Sequence, residues 1–124
     1  MAEQDSREKR HFTRIAIDCR AQLSCADRQW QTQLLDVSLK GALLFRPEDY
    51  VETGQACTLE LLLEPSHTVI TMQGDIVHGS HGHLGFHCQH IDMDSIGHLK
   101  RMLELNMGDE ALLERELSEL LVDE

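Results

Sequence analysis

A small antiparallel β-barrel with a helical tail is the fold class that this 124-residue sequence predicts. Three observations carry that expectation. From about Ile15 to Ile91, short runs alternate apolar with polar residues, the period of a half-buried strand, and are broken by turn-forming residues. After Asp92 the apolar period lengthens to about 3.6, the repeat of an amphipathic helix. The length is that of one domain, enough to bury a core without metal or disulfide staples.

The elements follow in order. Ile15 to Leu23 alternates as one strand, and Trp30 to Val37 reads as the next. Asp36 to Gly41 is the connection, because Ser and Gly favour turns and Gly41 can take a positive φ. Ala42 to Phe45 is a third strand, ended by Arg46-Pro47-Glu48-Asp49, and Cys57 to Leu63 a fourth, ended by Glu64-Pro65-Ser66. Thr68 to Val77 and Leu84 to Cys88 are the last two, joined by the loop Gly79-Ser80-His81-Gly82. Ile96, Leu99 and Leu103 then share one helical stripe, with Asp94 or Ser95 as N-cap and Gly108 as terminator. Asp109 can cap another helix, on which Leu113, Leu117, Leu120 and Leu121 share a face.

Charge narrows the classes of partner. A formal net charge of -11 leaves no general basic face for DNA, RNA or an anionic membrane. Residues 109–124 hold seven acids against Arg115, whereas Arg7, Lys9, Arg10 and Arg14 make the leading segment locally positive. No run reaches the ~18 apolar residues of a membrane span, and Met1 to Asp5 lacks the basic and apolar parts of a signal peptide. The expectation is a cytoplasmic protein. Its four cysteines, Cys19, Cys25, Cys57 and Cys88, form no C-x-x-C pair or dense framework, so buried free thiols and no disulfide are expected.

The chemistry-bearing residues lie near the start. Arg10 and Arg14 form R-x-x-x-R, and Asp36 to Gly41 forms D-x-S-x-x-G. An arginine fork can meet guanine O6 and N7 together or clamp a phosphate, and a carboxylate accepts from the N1 and N2 donors of the same base. On an extended arm, residues four apart point the same way with α-carbons ~13 Å apart, so both arginines reach one ligand. Ser38 adds a hydroxyl, and Gly41 removes a side chain that would block close approach.

In order and spacing these residues resemble the signature of the PilZ domain, the bacterial module that binds cyclic di-GMP. Arg10, Arg14, Asp36, Ser38 and Gly41 match it position by position, and Arg10 to Asp94 has the length and strand rhythm of a whole PilZ barrel. The resemblance implies a six-stranded antiparallel PilZ-type barrel over residues 10–93, a flexible basic arm at 1–9 and a helical extension at 94–124. It implies a receptor rather than an enzyme, with cyclic di-GMP as ligand, often as a stacked, intercalated pair, and no cofactor. The arm would fold over the barrel, be ordered by ligand and so alter the binding of a downstream effector protein in motility, pilus or biofilm control. Arg7 and Lys9 would add phosphate contacts. His78 stands where some members carry a large stacking aromatic. The rival within the fold is an adaptor that binds a protein partner and ignores the nucleotide.

Five histidines, His78, His81, His83, His87 and His90, crowd beside Cys88 and raise zinc as a rival. His83 and His87 fall on one strand face and Cys88 on the other, without a recognised ligand spacing, so exposed polarity is the expected reading and no metal is assigned. Catalysis is not expected, since no P-loop, nucleophile elbow or H-E-x-x-H helix occurs.

Overall fold

The structure, a computed structural model, describes residues 13–64, 66–80, 82–107 and 115–117, with the backbone alone at 78–80. Six strands form a closed antiparallel barrel in the order β1-β2-β3-β6-β5-β4: β1 (Ile15–Cys25), β2 (Arg28–Ser38), β3 (Gly41–Phe45), β4 (Cys57–Leu63), β5 (Thr68–Ser80) and β6 (His83–Ile91). Two three-stranded meanders, β1-β2-β3 and β4-β5-β6, are thus zipped together along β3–β6 and β1–β4. Closure removes both free edges, which would otherwise present unpaired backbone to other chains.

Alternation decides what fills the barrel. Leu23, Leu34, Leu44, Leu59, Leu61, Ile70, Met72 and Leu84 point inward and are essentially inaccessible to solvent. Helix α1 (Met93–Met107) covers one end with Leu99, Met102 and Leu103, members of the predicted stripe among them. Its cap is Asp92, not Asp94 or Ser95: Ser95 N donates to Asp92 Oδ1 at 2.7 Å. Ser95 sits instead in the first turn, where its buried hydroxyl accepts from Thr71 N at 2.9 Å and pins the helix to β5. Loop 46–56 closes the opposite end. There Trp30 Nε1 donates to the Asp49 carbonyl at 3.2 Å, and the Trp30 and Tyr50 rings lie 5.0 Å apart.

Two expected turns are shorter than their sequences suggest. β2 continues through Ser38 and β3 begins at Gly41, so only Leu39 and Lys40 turn, and Asp36 and Ser38 are strand residues. Likewise β5 runs to Ser80 opposite His83, which puts Gly79 in the strand and leaves the positive φ (80°) to Gly82. Strand pairing outweighs the local turn preference of Ser and Gly in both places.

The absence of disulfides was a wrong expectation. Cys25 ends β1 and Cys57 begins β4, and as direct cross-strand partners with α-carbons 4.3 Å apart they form a disulfide. The cause is barrel closure, which sets two residues separated by 32 positions side by side. Cys19 and Cys88 are free and buried, as expected. Gly108, Asp109 and most of the leucine-rich tail lie outside the described residues, of which 115–117 are helical.

Candidate functional site

Three strands and the residue preceding them build the candidate site. β1 pairs with β2 so that Ile15 faces Val37 and Ala16 faces Asp36, which sets Arg14 at the mouth of the β2–β3 hairpin. There Arg14 Nη1 donates to Asp36 Oδ1 at 2.6 Å, a charge-assisted contact between side chains 39% and 23% exposed. The arginine of the first motif and the carboxylate of the second, 22 positions apart, are brought into direct contact.

Ser38 and Gly41 shape the hairpin that carries them. Val37 faces the core, so Asp36 and Ser38 belong to the outer face. Ser38 is nonetheless 4% exposed, and its Oγ accepts from Lys40 N at 3.2 Å, holding the two-residue turn. Leu39 at the turn folds into the core. Gly41 does not have the positive φ expected of it. It is required by a close approach: a Cβ there would collide with the carbonyl oxygen of Phe86 in β6. The missing side chain admits a neighbouring strand.

Register places His78 in the same row as Asp36. Asp36 pairs with Leu43, Leu43 with Gly85 and Gly85 with His78, so the row runs across β2, β3, β6 and β5. At His78 the structure describes the backbone alone, and Arg7, Lys9 and Arg10 lie outside the described residues. The next row runs Ser38, Gly41, His87, Asp75. His83 and His87 do share the outer face of β6 with Cys88 turned inward, and among the described residues no three potential metal ligands converge. The 440 Å³ concavity lined by Thr71, Gln73, His90, Ile91 and Asp92 contains no motif residue.

One contact had no signal in the sequence. Glu116, 3% exposed, accepts at Oε2 from the backbone N–H of Thr13 at 3.0 Å and from its hydroxyl. A glutamate within a leucine-rich helical pattern reads as solvent-facing, and only the fold reveals that it ties the residue before Arg14 to the C-terminal segment.

The two free thiols are held protonated. Burial pushes Cys88 up to about 11 against the opposing effect of Lys40, and burial also raises Cys19. Neither is a candidate nucleophile at neutral pH.

Comparison with known proteins gives a consistent result. Residues 8–105 match the PilZ domain family. The PilZ domain of CeSA from a cellulose-synthesising bacterium superposes with a TM-score of 0.57 at 14% identity, over 77% of this chain and 96% of that one. The Bacillus subtilis inhibitor of motility, MotI/DgrA, gives 0.57 at 12% identity over 94% of this chain. This chain spans 53% of that protein's length. At such identities these likenesses concern the fold.

Proposed function

The chain belongs to the PilZ domain family, and on that footing we propose that it is a receptor for cyclic di-GMP, bound through Arg10, Arg14 and the Asp36-to-Gly41 hairpin. The observation that carries the reading is the Arg14–Asp36 contact at the hairpin mouth. Guanine offers acceptors on one edge and donors on another, so a guanidinium and a carboxylate held together are its chemical complement. Exchanging their mutual contact for the base costs little, because an exposed ion pair is worth about 0–1 kcal/mol. Arg10, Lys9 and Arg7 supply cations for the two phosphates. His78 stacks on a guanine in this reading. Ser38 acts by holding the turn.

The family's work is binding and regulation, and no catalytic step is proposed. Ligand orders the leading arm over the barrel. Because Thr13 is tied to Glu116, a change in the arm is felt in the C-terminal segment, which gives a downstream effector protein a surface that depends on occupancy. Control of motility, pilus function or biofilm formation is the class of output this reading favours.

Calorimetric titration with cyclic di-GMP tests it. Saturable binding by the parent and loss of most of it in Arg14→Ala, with the melting temperature nearly unchanged, is the expected result. No heat at ~100 μM protein, a free energy weaker than about -5.5 kcal/mol, would replace the receptor by an adaptor that binds protein alone. The same titration reports whether one nucleotide or an intercalated pair is bound.

A further inference from the structure

We propose that His87 of β6 is a further ligand-contacting residue, its imidazole donating a hydrogen bond to a phosphate oxygen of the anion bound at the β2–β3 hairpin. The inference rests on the receptor reading and adds a residue that neither sequence motif contains.

The argument begins with backbone packing. His87 is the direct cross-strand partner of Gly41, and Gly41 is the partner of Ser38, so the three occupy one row across β2, β3 and β6. Adjacent strands lie ~4.8 Å apart, which puts His87 about 10 Å from Ser38. The strand is clamped at this point from both sides. A Cβ at Gly41 would strike the Phe86 carbonyl oxygen, and one at Gly74 of β5 would strike that of His87. The hairpin tip adds a third restraint, since Cys88 N donates to the carbonyl of Lys40 at 2.7 Å. Phe86 and Cys88, buried on either side of His87 in sequence, anchor the same stretch to the core. The motif glycine therefore fixes where His87 stands relative to Asp36 and Ser38.

The side chain is suited to the position. His87 is exposed on the outer face, and among the described residues its imidazole has no hydrogen-bond partner. Asp75, opposite it on β5, accepts from Gln89 Nε2 at 2.7 Å. Gly85, two residues earlier on the same face and itself the β6 member of the Asp36 row, carries no side chain to crowd His87. In a protein of net charge -11, a fixed donor beside the hairpin helps offset the repulsion of an incoming diphosphate.

The full chain is titrated with cyclic di-GMP as parent, Arg14→Ala, His87→Ala, His87→Gln and His83→Ala. His83 shares the face and strand of His87 but packs edge-on to Phe45 at the far end, so it controls for a general effect of removing a β6 histidine. We expect His87→Ala to weaken binding about tenfold, the loss of one hydrogen bond to a charged group, with His87→Gln recovering part of it and His83→Ala unchanged. In parallel, the His87 ring signals in ¹H–¹⁵N spectra of the parent should shift on saturation and those of His83 should not. If Arg14→Ala loses binding while His87→Ala binds like the parent and the His87 ring signals stay still, the inference is overturned and the receptor reading stands. If the parent does not bind, or Arg14→Ala binds equally well, both fail. Should His87→Ala melt early, His87→Gln and the parent's ring signals decide.

Discussion

Cys88 shows how a single side chain records its surroundings. Burial raises its thiol from 9.0 to about 11, and burial followed by the Glu52 carboxylate raises Tyr50 from 10.0 to about 12. In both, the fold favours the neutral, protonated form. That contribution is whole below the unfolded value and is lost as pH rises through the folded one. Unfolding free energy is therefore expected to hold steady up to pH ~9, decline between about 9 and 11 through Cys88, and decline further toward 12 through Tyr50. Urea melts across that range check it, and Cys88→Ala should reduce the earlier part of the decline, leaving the share of Cys19, which burial also raises. At this scale the letters of the site were legible, since Arg14, Asp36, Ser38 and Gly41 are visible in the chain. Their local work was less so. The sequence suggests a positive φ at Gly41, whereas its φ is not positive and β6, 45 positions further along, leaves no space there for a side chain.

Elements reveal why that glycine matters. β3 has only five residues, so its junction with β6 depends on close approach at Gly41, repeated at Gly74 on the other side of the same strand. Gly41→Ala must push β3 and β6 apart or shift β6, and the expected cost is about 1–3 kcal/mol, the usual range for an overpacked interior. Thermal unfolding should show a fall of several degrees, accompanied by weaker cyclic di-GMP binding and displaced His87 backbone signals. A ligand-only role for Gly41 would leave the melt unchanged. The strands themselves were readable because barrel interiors demand strict alternation, and Cys57–Leu63 coincides with its expected span. Turn lengths were less readable. Ser and Gly carry the same local preference whether they turn or pair, and the ladder opposite them decides which.

Across the whole molecule, closure is the event with the largest consequences. It joins β1 to β4, and with them Cys25 to Cys57. A cross-link closing a loop of this length restrains the unfolded chain by about 3–4 kcal/mol in the chain-entropy account. Reduction, or Cys25→Ser, should therefore lower the melting temperature clearly while leaving the motif hairpin near the opposite end of β2 able to bind ligand. An aromatic disulfide reagent should find two reactive thiols in the unfolded oxidised protein, Cys19 and Cys88, and little rapid reaction in the folded one. Composition, periodicity and motif spacing were enough to read a β-barrel, a helical extension and a pair of motifs that resemble the PilZ signature, because these depend on local alternation and on residue chemistry carried in the chain itself. The Cys25–Cys57 bridge, the Glu116 tie to Thr13, the demand of β6 on Gly41 and the standing of His87 beside Gly41 are contacts between distant segments. They came into being only when six strands took one register and closed, since no local pattern encodes which far-off residue a strand will meet.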